Sequence, residues 1–320
     1  MKSLTKKILP FADILLFLFV YPAAWLLRGI RNAGVHRMPL SKNALMNVGV
    51  FPIRTHYYEP QFDNRNPKSA FSEDRNLPGI DWNVSGQLET LERFNLAGEL
   101  ADVPREKPGQ RAFYMNNGAF ESGDAEYWYQ MIRTIKPKRI IEIGSGHSTL
   151  MAKKAIDRNA TDDAGSGRSE HICIEPYEMP WLEEVGVSVV RKRVEELELS
   201  FFARLQENDI LFIDSTHVIR PQGDVLFEYL QVLPSLKKGV IVHIHDIFSP
   251  KNYPSQWLVD EVRLWNEQYL LEAFLTHNRD WQIVGALNYL RHKHYEKLKA
   301  VAPSLSPERE PGSFYIQKIA

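Results

Sequence analysis

Residues 139–150, RIIEIGSGHSTL, decide the fold. Four successive positions, Ile140 to Ile143, combine three isoleucines with one carboxylate, Glu142. Two glycines, Gly144 and Gly146, follow at once, and the helix-compatible run STLMAKKAIDR comes after them. An apolar run on successive positions is the pattern of a strand buried on both faces, as in a parallel sheet covered by helices. Glycines at its C-terminal end permit a tight turn in which backbone, rather than a side chain, faces a bound ligand. The helix start beyond them offers free N–H groups. The third glycine of a dinucleotide fingerprint is missing, because Thr149 stands there, so taken alone the pair also fits a turn that binds nothing.

Working outward, the chain from residue 138 alternates short apolar runs with helical segments. The runs are RIIEI, HICIEP, VSVVRK, DILFID, GVIVHIHD, WQIVGAL and SFYIQKI. Between them lie STLMAKKAIDR, MPWLEEVG, VEELELSFFARL, DVLFEYLQVLPSL and the long SQWLVDEVRLWNEQYLLEAFLTHN, each expected to be helical. Alternation of this kind predicts a doubly wound α/β sheet, mostly parallel, closed by a pair of strands near the C-terminus. Upstream, DAEYWYQMIRTI at 124–135 predicts a helix with Asp124 as its N-cap. In QLETLERFNLAGEL, Leu88, Leu91, Phe94 and Leu100 can share a helical face. Residues 41–123 otherwise show little periodicity and read as an irregular cap over a domain spanning 124–320.

The first forty residues differ. Ile8–Leu27, ILPFADILLFLFVYPAAWLL, is apolar except for Asp13, with Lys2, Lys6 and Lys7 before it and Arg28, Arg31 and Arg37 after it. Its length approaches the ~20 residues of a spanning helix. We expect residues 1–40 to be a membrane-associated segment, spanning or interfacial. A hydrophobic arm packed on protein and a signal peptide remain open, since Asp13, Pro10 and Pro22 count against a span. The catalytic domain is expected on the cytoplasmic side, attached to the inner membrane.

Composition bounds the rest. With 39 basic against 40 acidic residues in 320, no global field argues for nucleic acid. A single cysteine, Cys173, excludes a disulfide framework and a thiolate zinc cage; within HICIE it is expected in the core.

Several strand ends carry chemistry. Glu175, ending the second strand, is placed to accept two ribose hydroxyls, and Glu195 can meet a base or simply be solvated. Asp214 in DILFIDSTHV and Asp246 in GVIVHIHDIF end central strands, where open α/β sheets bind ligands. His217 follows Asp214 by three residues. In an extended HIHD, His243 and His245 point to one face and Asp246 to the other, so at least one histidine is expected to be structural unless the strand end bends. Asp214 and Asp246 can bind a hard divalent cation such as Mg²⁺, with His217 as general base. A metal-free reading, in which both aspartates cap strands or bind substrate hydroxyls, stays open.

Taken together, EIGSGHST, IEP, DILFIDSTHV and HIHDIFSP resemble the class I S-adenosylmethionine-dependent methyltransferases. More closely they resemble methyltransferase family 24, through EIGSG-ST and HIHDIF, over most of residues 45–290. The resemblance implies a seven-stranded Rossmann-like methyltransferase sheet in 124–320. It implies S-adenosylmethionine as cofactor, with Glu142, Gly144, Ser145 and Gly146 around its methionine part, Glu175 on its ribose, and Asp214 as a further cofactor-binding and catalytic residue. Similarity to catechol-type O-methyltransferases implies metal ligation by Asp214 and Asp246 and a base at His217. Ile247 departs from that type, which has an asparagine there. The expected activity is O-methylation of a small polar or saccharide-like acceptor such as a glycan precursor, under a cap offering His56, Tyr57, Tyr58, Asn116, Asn117 and Phe120. A hydroxylase-like relative of the same fold and a non-catalytic, membrane-tethered cofactor-binding protein are the alternatives.

Overall fold

The computed structural model describes residues 2–53, 58, 60, 67, 69–108, 111–163 and 168–320. The chain forms two compact units, Met1–Lys68 and Ser69–Ala320. The first holds α1 (Lys2–Ala33), a 3-10 turn at Val35–Arg37 and α2 (Pro39–Val48). Over Leu9–Ala33, α1 is long and apolar enough to cross a membrane, and none of its most apolar window is buried.

The second unit is built on a seven-stranded sheet: β1 (Arg139–Ile143), β2 (Glu170–Ile174), β3 (Ser188–Val190), β4 (Ile210–Ile213), β5 (Ile241–Ile244), β6 (Trp281–Ala286) and β7 (Phe314–Lys318). The order is β3-β2-β1-β4-β5-β7-β6, with the first five strands parallel and β7 antiparallel to both neighbours. All seven apolar runs are strands, and order reverses beside β1, where β1 lies between β2 and β4. Such a switch point opens a crevice at the carboxyl ends of the strands.

Alternation of side chains splits the core into two layers. Ile140, Ile210, Phe212, Ile241 and Tyr315 pack with Trp128, Met131 and Ile132 of α4 (Asp124–Ile135) and Met151, Ala155 and Ile156 of α5 (His147–Asp162). On the other face Ile141, Ile143, Leu211, Ile213, Val242 and Ile244 pack with Val225, Tyr229, Val232 and Leu271. Those residues come from α6 (Asp224–Phe227), which runs through a π turn at Glu228–Val232 into α7 (Leu233–Ser235), and from α8 (Glu267–Leu275). The C-terminal α9 (Leu287–Lys293) and α10 (Tyr295–Val301) add Leu290, Leu298 and Val301 to the first layer. Between α2 and α4, α3 (Val84–Arg93) buries Leu91, while Phe94 and Leu100 beyond its end are also buried. Gln87 of α3 latches to β6 by accepting the N–H of Ala286 at 2.7 Å.

Three helical expectations are corrected. MPWLEEVG and VEELELSFFARL form only 3-10 turns, at Leu182–Val185, Val194–Glu196 and Leu199–Arg204, so the β2–β3 and β3–β4 crossovers lack α-helices. The long helix expected from Ser255 breaks into a π turn at Gln256–Asp260 and α8, with Val262 at φ 53° between them. Asp124 does not cap α4. Gly123 is the N-cap and its N–H is taken by Glu126 at 2.9 Å, while Asp124 receives the N–H groups of Gly312 and Ser313 at 3.2 and 2.7 Å.

Candidate functional site

The strand ends are laced together before any side chain is considered. Gly144 N–H donates to Ile174 O, Asp214 N–H to Ile143 O and His245 N–H to Ile213 O, all near 3 Å. This stitching sets the glycine turn, Asp214 and His245 side by side. Gly144 is at φ 74°, and a Cβ there would meet the Asp214 carbonyl oxygen at 1.9 Å. Only glycine fits that crossing.

A cavity of about 340 Å³ opens at the ends of β1, β2 and β4. Ile143, Gly144, Glu175, Tyr177, Glu195, Asp214, Thr216 and Arg220 are among its lining residues. Glu175 is held in place by N–H groups of Ser145 (3.3 Å), Tyr177 (3.1 Å) and Glu178 (3.0 Å). A carboxylate has about four acceptor positions, so one oriented by three backbone donors can still receive a hydroxyl. Glu195 lies 3.5 Å from Arg193, at the far wall.

Glu142 stands elsewhere. Fully buried and absent from the cavity wall, it receives Ser148 Oγ and, at 2.9 Å, Thr149 Oγ1 from the first turn of α5, and lies 2.8 Å from His171 Nε2. These contacts fasten β1 to α5 and β2. Cys173 sits beside it in the core, and burial pushes its thiol up, so it is unreactive.

Past Asp214, a cluster of acids and imidazoles gathers beyond the carboxyl ends of β4 and β5. His217 Nε2 lies 3.3 Å from Asp214 and 3.6 Å from Asp246, and its Nδ1 lies 2.7 Å from Glu267 Oε2. His245 Nδ1 lies 3.4 Å from Asp214 and 3.6 Å from Asp246. The bend needed to bring HIHD to one place is present: Asp246 is at φ 58°, and His217 itself at φ 60°. Left-handed conformations at non-glycine residues store strain and cluster at functional sites. His243 is the structural histidine. It lies in one cross-strand row with Glu142, Phe212 and Tyr315, stacks on Tyr315 at 4.0 Å and reaches Ser313 Oγ at 2.8 Å. Burial, then repulsion from His245, holds its pKa well below the usual histidine value.

The charges in the cluster determine one another. For His217, burial opposes protonation, but the Asp214 and Glu267 carboxylates outweigh it and hold the pKa well above the ordinary value. His245 is raised for the same reason, against its burial, by Asp246 and Asp214. For Asp214, burial is outweighed by the two imidazoles and the carboxyl is held well below its usual range. For Asp246, burial wins and the pKa is raised. The carboxylates on both ring nitrogens of His217 thus favour its protonated form, and Glu267 on Nδ1 leaves Nε2 as the nitrogen that faces Asp214 and Asp246.

A hard divalent cation such as Mg²⁺ is held by one or two carboxylates, with water completing its oxygen shell. Among the described residues Asp214, His217 and Asp246 each bring a ligand atom to within 4.8 Å of the others, while Ile247 is buried and offers none. Asp214 and Asp246 are the residues that would hold such an ion, and the imidazoles of His217 and His245 compete for the same oxygens.

Of the cap residues, Phe120 is buried against Phe212, His243 and His245. Asn117 closes its own loop through Tyr114 O and Phe120 O, and Asn116 bonds Glu106. These three shape the loop instead of meeting an acceptor. Tyr58 is exposed in the first unit, and His56 and Tyr57 lie outside the described residues. Glu267 was missed from the sequence, as was Trp265, whose ring lies 4.3 Å from His217. A glutamate near a helix start looks like any solvated one, and only its burial behind β5 marks it.

Comparison with known proteins falls on this same region. Residues 141–247 match the family described as a methyltransferase domain, 107 of 320 positions. The match begins at the strand that carries Glu142 and ends one residue past Asp246. An uncharacterized protein of Archaeoglobus fulgidus is 34% identical over 145 residues, 43% of this chain, and the chain spans 63% of that relative's length. Among solved structures, a plantazolicin methyltransferase is 12% identical with TM-score 0.35, covering 61% of this chain and 83% of its own. A 16S rRNA (adenine(1408)-N(1))-methyltransferase of Catenulisporales acidiphilia is 13% identical with TM-score 0.28, covering 62% and 92%. The methyltransferase-domain match therefore covers one third of the chain, from within β1 to just past the end of β5.

Proposed function

We propose that this protein is an S-adenosylmethionine-dependent methyltransferase acting on a hydroxyl of a small polar or saccharide-like acceptor, at the inner face of a membrane. The observation that carries the proposal is the cavity at the ends of β1, β2 and β4, walled by Gly144 and Glu175, within the matched segment. When bound, the cofactor supplies an activated methyl group on a sulfonium centre. Glu175 receives the ribose hydroxyls. Gly144 leaves the backbone bare for the methionine part, and the Asp214 carboxylate, which the neighbouring imidazoles hold well below its usual pKa range, would present negative charge to the cationic centre. An acceptor hydroxyl would be bound from the Asp214 side of the cavity, and Asp246, whose pKa burial raises, is the carboxylate that would receive its proton. Glu267 holds the His217 ring in place.

Two measurements test this. Calorimetry with S-adenosylmethionine should show one site, weakened about tenfold or more in Glu175→Gln, because a charged acceptor is lost. Labelled methyl transfer into polar extracts should be abolished by Asp246→Asn and unaffected by a chelator. Tight binding with no labelled product in any hydroxylated fraction would sink the enzymatic reading. Chelator sensitivity would assign a metal to Asp214 and Asp246.

A further inference from the structure

Between Asp13 and Glu59 the sequence holds no acidic residue, while Arg28, Arg31, Arg37, Lys42 and Arg54 fall in this stretch. The described part of it is a continuous structure. Near the end of α1, Arg28 lies over the Trp25 ring at 5.0 Å, and Arg31 lies over Phe51 at 5.5 Å, so the segment after α2 folds back to the same place. Trp25 and Tyr21 are exposed, at 56% and 57%. Aromatic rings beside basic residues are what the headgroup layer of a bilayer selects.

Beyond this point α2 buries no residue. Leu40, Ala44 and Val48 recur on one face, Lys42 lies on the opposite side, and Leu40 and Val48 are 86% and 77% exposed. Pro39 at the start and Gly49 in the left-handed conformation at the end make α2 a discrete short helix, set off from α1 by the 3-10 turn. Val50, Phe51 and Ile53 continue the exposed apolar surface. Exposed apolar side chains alternating with cations and no anions form a surface complementary to an anionic lipid leaflet.

We propose that residues 28–53 form a second membrane contact, in which α2 lies in the headgroup layer of an anionic leaflet, bound by its apolar face and by Arg28, Arg31, Arg37 and Lys42. This rests on the reading that α1 sits in the membrane, and it is independent of methyl transfer. The bilayer is favoured over a protein partner by charge: residues 14–58 carry arginines and a lysine but no acidic residue, a balance that suits a surface of lipid phosphates.

The test uses the full chain with an environment-sensitive dye on a single introduced cysteine, Leu40→Cys or Val48→Cys; buried Cys173 is the native thiol and is replaced by serine as a control. Vesicles of phosphatidylcholine alone are compared with a phosphatidylcholine–phosphatidylglycerol mixture, and flotation is measured alongside emission. We expect flotation with both, but a blue-shifted dye, quenched by brominated lipid, only with the anionic mixture. High salt should reverse the shift. Each Arg→Gln or Lys→Gln change among the four should lower the docked-to-undocked ratio roughly fivefold. Flotation with the same emission on both lipids overturns the proposal and leaves the anchor standing. Absence of flotation overturns both. Shielding that depends on protein concentration without vesicles assigns the surface to a second copy of the chain and also overturns the proposal.

Discussion

At Gly144 the chain turns in a left-handed conformation directly against the Asp214 carbonyl. An alanine there meets two penalties, an unfavourable φ and a backbone clash, which together cost on the order of 3 kcal/mol. Urea unfolding of Gly144→Ala should show that loss, together with the disappearance of S-adenosylmethionine binding; a variant as stable as the parent would mean the turn is looser than described. Glu267 argues a different point. It is fully buried, 2.7 Å from His217 Nδ1, and also accepts the Tyr229 hydroxyl at 3.0 Å. Replacing it with glutamine removes one of the carboxylates that raise His217, so the His217 pKa should fall, followed by its imidazole resonances in an NMR titration. An unchanged titration would show that Asp214 alone holds the proton.

At the scale of elements, the 3-10 turn Ala97–Leu100 is tied to α4 by charge. Glu99 accepts from Arg133 Nε at 2.8 Å and from the Tyr129 hydroxyl at 2.7 Å, and Arg133 reaches on to Asp162 of α5 at 2.6 Å. The Arg133 hydrogen bond lowers the Glu99 pKa from 4.5 to about 2. A depressed carboxylate contributes stability that is fully present above its unfolded pKa and lost as pH falls through the folded one. The stability difference between the parent and Glu99→Gln, read from urea midpoints, should therefore hold above pH 4.5 and vanish near pH 2. A constant difference across that window would refute the linkage. The sequence was informative for elements of this kind only where one physical signal dominates. Ile140–Ile143 and Ile210–Ile213 are strands because apolar runs of that length have no other buried solution. The crossovers failed because amphipathic letters such as LEEV and ELSFFARL also suit a turn of 3-10 helix, and the pattern does not contain the space available between β3 and the helices. In the site, Gly144, Glu175, Asp214 and Asp246 were readable from their place at strand ends. The inward turn of Glu142 was not, because side-chain partners such as Ser148, Thr149 and His171 lie on other elements.

For the whole molecule, the division at Lys68 separates two kinds of surface. Every strand, both sheet-facing apolar layers and the cavity lined by Gly144 and Glu175 belong to Ser69–Ala320. Among the described residues of the first unit only Val35 is a buried apolar residue, and α1 exposes Phe11, Leu18, Phe19 and Leu26. A core of the size in the second unit is within the range that folds as one domain. A chain beginning at Ser69 should therefore stay in solution without detergent and unfold cooperatively in urea. It should bind S-adenosylmethionine within about twofold of the full chain, because the described lining of the cavity comes from the second unit. It should also no longer float with vesicles. Calorimetry and flotation on the same preparation check both halves of the argument. Loss of binding with cooperative unfolding preserved would place residues 1–68 at the cofactor cavity, and continued flotation would move the membrane contact off α1 and α2.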